Sequence, residues 1–336
     1  IRPYRNGRDL TATPRGVMVI DLFGLSEAEV RTRFPAVYQH VLDKVKPERD
    51  ANRDKPIREN WLIFGRPRSE IRPALESLPR YIATVETAKH RVFQFLDAAT
   101  LPDNKLIVLA LDDAWSLAVV SSGIHETWAL AAGSWLGVGN DPVYAKSQCF
   151  DPFPFPEVSP AQEAGIGRLA EQLDAHRRDA QARDPKAHLT AQYNALGRLR
   201  EAKAGGTALT EAERAFHQRA LTGVLAELHD ALDAAVCAAY GWPVDLSDEA
   251  LLIRLVALNA ARAAEEAQGT VRYLRPSLQA PAGEQLGLTG DTRPEDGEAE
   301  AEDAATGARP WRDGGFAQLA ALRGVVLCRV GLWRRA

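Results

Sequence analysis

The apolar positions of this chain change rhythm part-way along, and the change divides it. In the first part they come as short runs and strand-like clusters. Val17 to Phe23 is a brief apolar run of the kind that fills a buried strand. Ser26 with Glu29 three residues on is a capping box, and Val30, Phe34, Tyr38, Val41, Leu42 and Val45 follow at helical spacing until Pro47. Tyr81, Ile82, Val92, Phe93 and Phe95 give Arg80 to Leu96 the β-branched and aromatic character of strands. Leu106 to Leu111 and Leu117 to Val120 read as two more strands, turned at Asp112 and Asp113, with Ile124 to Leu130 helical after them.

The alternating prolines and phenylalanines of Asp151 to Pro156 can continue neither a helix nor a central strand. They predict an extended strap with its rings packed on a neighbour. Past it the period is helical. Ser159 and Gln162 form a capping box with Pro160 at the first helical position, and Ile166, Leu169 and Leu173 make a stripe. Thr210 and Glu213 cap a helix whose apolar face continues through Leu221, Val224, Leu225, Leu228, Leu232 and Val236. Ser247 opens another with Leu251, Leu252, Leu255 and Leu258. The expected fold class is α+β. A mixed strand and helix domain spans 1–156 and an all-α domain 157–275, followed by a disordered acidic linker at 276–308 and a short tail at 309–336.

Composition adds limits. Hydrophobic residues at 46% and charged ones at 26% suit a soluble protein, and Asp112 and Asp113 break the longest apolar stretch, so no membrane span is expected. No signal peptide is legible at Ile1, and Cys149, Cys237 and Cys328 form no CxxC pair; a reduced, cytoplasmic protein is the expectation. The net charge of −4 conceals an asymmetry. Residues 1–91 hold 18 Lys/Arg against 12 Asp/Glu, while the remainder holds 23 against 33. A basic front joined to an acidic rear suits a polyanionic partner, although a solvated basic face gives the same count.

Four segments occur in a telling order: NGRDLT (Asn6 to Thr11), VKPERDANRDK (Val45 to Lys55), RYIATVETAKHRVFQFLD (Arg80 to Asp97) and CFDPFPFP (Cys149 to Pro156). The order resembles the target-recognition domain and helical C-terminal part of MmeI-like DNA adenine methyltransferases, the single-chain restriction-modification enzymes of types IIG and IIL. The resemblance covers roughly residues 1–275. It implies double-stranded DNA as a partner, adenine-N6 methylation by the complete enzyme, and S-adenosylmethionine as the cofactor of that enzyme rather than of this chain. The base-receiving Asn/Asp-Pro-Pro-aromatic loop is not found, because the chain has no Pro-Pro dipeptide. Gly137 to Asn140 is too short a glycine run for a cofactor loop. The chain is therefore expected to be the C-terminal part of a larger enzyme, silent alone and docked on an upstream methyltransferase domain. A separate, non-catalytic specificity subunit docking on a methyltransferase through its helices fits the same residues.

The candidate site residues are DNA-facing. Arg5, Asn6 and Arg8 suit phosphates or base edges, unless Asp9 pairs with an arginine in a merely capped turn. Lys44, Lys46, Arg49, Arg53 and Arg58 crowd a helix end, either to meet phosphates or to keep the surface soluble. Arg66 and Arg68 follow Trp61 and Phe64 across Gly65, and Trp61 itself reads as a core ring. Thr84, Glu86, Thr87, Lys89, His90 and Arg91 are the densest polar set between strands, and base reading is placed there first. His90 alone reads more readily as a structural hydrogen-bonder. Ser121 and Ser122 with His125 match a Ser-Ser-x-x-His stretch of the resembled family and join the DNA-facing set; no nucleophile elbow surrounds them. Glu201 and Lys203 echo a nuclease motif in a helical context, and His229, Asp230 and Asp233 lack a further metal ligand and read as a solvated helix face.

Overall fold

The computed structural model of the chain describes residues 1–65, 67–137 and 141–280. Arg66, the rest of the glycine run at 138–140, and nearly all of the expected acidic linker and tail lie outside the described residues.

The fold is α+β, as the patterning predicts. Strand β1 (Arg2–Arg5) leads to the short helix α1 (Gly7–Thr11) and strand β2 (Met18–Val19). Helices α2 (Glu27–Arg33), α3 (Pro35–Lys44), α4 (Lys46–Asp50), α5 (Lys55–Glu59) and α6 (Ile71–Glu76) come next. Strands β3 (Arg80–Val85), β4 (Gln94–Asp97), β5 (Leu101–Pro102) and β6 (Leu106–Leu109) precede α7 (Ala114–Ser121) and α8 (Gly123–Ala132). A hairpin, β7 (Ser134–Trp135) and β8 (Pro142–Val143), and a π-helical turn (Lys146–Phe150) close this part. The rest is helical: α9 (Pro160–Arg183), α10 (Leu189–Lys203), α11 (Glu211–Ala220), α12 (Thr222–Tyr240), α13 (Asp248–Ala267) and α14 (Pro276–Gln279). The strands form two three-stranded sheets. One has the order β2-β1-β5 with β1 and β5 parallel, and the other is antiparallel in the order β4-β3-β6.

Strand β3 is buried on both faces, and its period-two alternation feeds two clusters. Ile82 enters the main core, whereas Tyr81 and Ala83 pack with Ala74, Leu75 and Ala110. A third cluster of Leu22, Val30, Val41 and Trp61 holds the region of α2 to α5 together. The main core runs without a break across residue 156, from Ile82 to Leu255. The Phe-Pro strap is the seam. Phe153 is fully buried and sits edge-on to His125 at 4.4 Å between centroids. Prolines donate no backbone hydrogen bond, yet their carbonyls still need partners. Asn259 Nδ2 donates to Pro152 O at 2.5 Å and Tyr240 Oη to Pro154 O at 2.9 Å. The helical part thus fastens the strap directly. Arg275 also reaches back to the carbonyls of Ala74 and Ala110.

Three expectations change. Leu117 to Val120 is helix, not strand: Asp113 caps α7 by accepting from Ser116 N at 2.6 Å, and every residue from Ser116 to Val120 is buried. A short apolar run with no exposed face carries no period by which to tell the two apart. Val17 to Phe23 forms only the two-residue β2, with Met18 exposed, because Gly16 and Gly24 at positive φ turn the chain on either side. The helix expected to run from Thr210 to Val236 is two helices, broken at Leu221 in a left-handed conformation (φ 50°).

Candidate nucleic-acid interface

Three elements distant in sequence converge on one cavity of about 330 Å³: the α1 turn, the loop between β3 and β4, and the start of α10. Each wall is fixed by identifiable bonds. Asn6 caps α1 by accepting from Asp9 N at 3.0 Å, while the Asp9 carboxylate accepts from Asn6 N and, through two 2.8 Å contacts, from Arg15. Asp9 is 2% exposed, and the Arg15 guanidinium holds its pKa well below the usual carboxylate range. The capped turn is therefore what Asn6 and Asp9 build. Arg8 is left pointing off a rigid turn: it is exposed, and among the described residues its guanidinium has no hydrogen-bond or ion-pair partner. Arg5, one strand position before the cap and half-buried, is likewise without a side-chain partner among them.

The loop wall is fastened by Arg91. Its guanidinium donates to the carbonyls of Val85, Glu86 (3.4 Å) and Pro142 (3.3 Å) and to Thr84 Oγ1 (3.1 Å), and it lies 4.9 Å over the Tyr144 ring. Burial pushes its pKa down, so the carbonyl dipoles and the ring face offset a desolvated charge. Hairpin β7–β8 adds backbone bonds to the same loop, Ala88 N to Pro142 O and Tyr144 N to Glu86 O. At the far end, Arg177 Nη1 donates to Phe93 O at 2.8 Å. What the loop shows to solvent is Lys89, and beside it half-buried His90.

The remaining expected site residues are dispersed. Thr84 (1% exposed) and Ser122 (0% exposed) face the core and are withdrawn from the DNA-facing set; Ser122 is the cap of α8. Arg91 is withdrawn as a base reader because its donors are spent on the loop backbone. Ser121 is half-buried, its hydroxyl shut off from solvent. His125 is fully buried, bonded through Nε2 to Tyr144 Oη at 2.9 Å, and burial lowers its pKa to about 3, which keeps it neutral. Glu86 pairs with Lys105 at 2.9 Å, and Arg68, at φ 48°, donates to Asn104 O at 3.1 Å. In the basic cluster Lys46 pairs with Asp50 and lies 5.6 Å over Trp61, which is a core ring as expected. Arg58 is bent onto the carbonyls of Asn52 and Arg53. Lys44 and Arg53 stand exposed, and Arg49 is half-buried beside Gly65.

The set His229, Asp230 and Asp233 is not the solvated face expected of it. His229 is buried and bonded to Tyr193 Oη at 2.8 Å, Asp233 accepts from Gly123 N at 2.8 Å, and Asp230 pairs with Arg200. Among the described residues no three His, Cys, Asp or Glu side chains are grouped to hold a metal ion. No helix there is long and apolar enough to cross a membrane.

Neither a protein-family model nor a curated protein sequence matches the chain. Among solved structures, one of the Type IIL restriction-modification enzyme MmeI in complex with DNA superposes with a TM-score of 0.55. Identity is 18%, over 76% of this chain and 30% of that one. The chain shares the fold of part of MmeI. At this identity the likeness fixes architecture and leaves residue roles to the geometry above.

Sequence reasoning passed over the third wall of the cavity. Thr190 lines it, and Asn194 one turn later is bonded to Lys89 and His90. Both lie about a hundred positions from the loop, in an alanine-rich helix; the signal that marks them is a polar Gln192-Tyr193-Asn194 run interrupting that helix.

Proposed function

We infer that the chain recognises duplex DNA as the C-terminal part of a site-specific DNA (adenine-N6) methyltransferase of a restriction-modification or phage-defence system. The observation that carries this is the meeting of Arg8, Lys89 and His90 at one cleft, on elements held rigid by buried bonds. A recognition surface needs donors fixed in place before the ligand arrives, since ordering long side chains on binding costs affinity. Arg5 and Arg8 meet phosphates, and Lys89 and His90 approach base edges. Residues 1–156 carry most of the recognition surface, the start of α10 completes it, and the rest of 157–275 braces it and docks it on the catalytic part. The order of sequence segments and the shared architecture with a DNA-bound MmeI support the same reading.

We assign S-adenosylmethionine to the catalytic part of the complete enzyme rather than to this chain. Gly137, the described residue of the glycine run, comes just after β7 of a two-stranded hairpin. Gly133 is required there by packing, because a Cβ would lie 2.7 Å from the carbonyl oxygens of Ala129 and Val143. No step of methyl transfer is therefore assigned to this chain. Anisotropy of a labelled duplex, titrated with the chain from about 50 to about 200 mM salt, tests the reading. Binding that weakens steeply with salt is the expected result; no binding, or a flat response, contradicts it.

A further inference from the structure

Asn194 of α10 joins the loop wall by two hydrogen bonds through a single atom. Its Oδ1 lies 2.7 Å from Lys89 Nζ and 2.9 Å from His90 Nε2. An ammonium group only donates, so the atom facing Lys89 must be the amide oxygen. Two donors fill its two lone pairs. The amide NH2 is left with no partner among the described residues, on a side chain that is exposed.

The helix cannot turn this side chain away. Thr190, one turn earlier on the same face, donates to Thr11 O at 3.1 Å and ties α10 to the α1 wall. Tyr193 packs its ring 5.9 Å from that of His90, and its hydroxyl is held by Arg177 and by His229. Asn194 is thus as fixed as the loop it touches.

Resting on the DNA-binding function inferred above, we propose that Asn194 is a specificity-determining residue that reads a guanine edge together with Lys89. The argument is one of donors and acceptors. Lys89 has donors only, and Asn194, its oxygen spent, has only its NH2 to offer. His90 gives its Nε2 proton to Asn194, and Asp141 stands on another part of the wall. The Lys89–Asn194 corner is therefore donor-only. In the major groove guanine offers two acceptors, N7 and O6, whereas cytosine offers an amino donor that this corner would oppose.

Selection from a duplex pool with a randomised centre, using the full chain, tests this. The wild type is expected to enrich guanine at one position and to lose that preference when the base is 7-deazaguanine. Asn194→Ala should lower the enrichment about tenfold, leaving the salt slope and unfolding midpoint unchanged. Asn194→Asp, which replaces the NH2 by an acceptor, should move the preference toward cytosine or adenine. Identical selections from all three proteins, or wild-type binding without any base preference, overturn the proposal. A wild type that does not bind duplex at all removes the DNA-binding function itself, and this proposal with it.

Discussion

Two basic regions of this molecule look alike in sequence and differ in what their charges are free to do. The helix-end region from Lys44 to Arg58 has the higher density of cations, but much of it is answered internally. Lys46 pairs with Asp50, Lys55 with Glu59, and Arg58 with two backbone carbonyls. It rests on a small cluster of its own. The cleft has fewer cations, and one of them, Arg91, is consumed as a fastener. Lys89 and Arg8 are displayed on backbone fastened by hydrogen bonds. Charge density marks neither region as the interface; the fate of each donor separates them.

The largest effect expected from this contrast is on stability. Arg91→Ala removes the charged donor shared by the carbonyls of Val85, Glu86 and Pro142, leaving the last two only their backbone partners, and it should destabilise the fold by about 2–3 kcal/mol in urea unfolding. Lys46→Ala should leave the unfolding midpoint where it is. An Arg91 variant of unchanged stability would return that residue to the pool of base readers.

Next is pH. His125 and His229 are buried and neutral in the folded chain, with pKa values held below the ordinary 6.5 by burial, to about 3 for His125. Below 6.5 the unfolded chain takes up protons that the folded one refuses. The contribution of each is therefore full above about 6.5 and is lost as pH falls, for His125 by about 1.4 kcal/mol per pH unit toward pH 3, with His229 acting in the same direction. His125→Gln should make that slope in chemical unfolding shallower; an unaltered slope contradicts its neutral burial.

Smallest is the share of single cations in DNA binding. Arg8→Ala should reduce the logarithmic salt slope by about one. Lys46→Ala should reduce it less, because Asp50 already answers that charge. Equal reductions would erase the distinction between the two regions.

Local rules were legible in the sequence wherever the cause is local. The capping boxes at Ser26, Ser159 and Thr210 form as their spacing predicts, and the strap packs Phe153 into the core. The β-branched and aromatic character of Arg80 to Leu96 identifies β3 and β4 as strands, although not that both faces of β3 are covered. What composition concealed is long-range. Thr84 and Arg91 read as an exposed polar pair, yet one is buried and the other bonded to Pro142, some fifty positions away. Asn194 had no motif to announce it, because its role comes from α10 crossing the loop. A polar residue's partner is set by tertiary packing, and no local spacing records it.

Hydrogen exchange of the chain with and without a duplex tests most directly that the cleft, and not the denser basic region, holds DNA. Slowed exchange at residues 7–11, 86–92 and 189–194, with 44–58 little changed, is the predicted pattern. Slowing confined to 44–58, with the cleft exchanging as before, would contradict it.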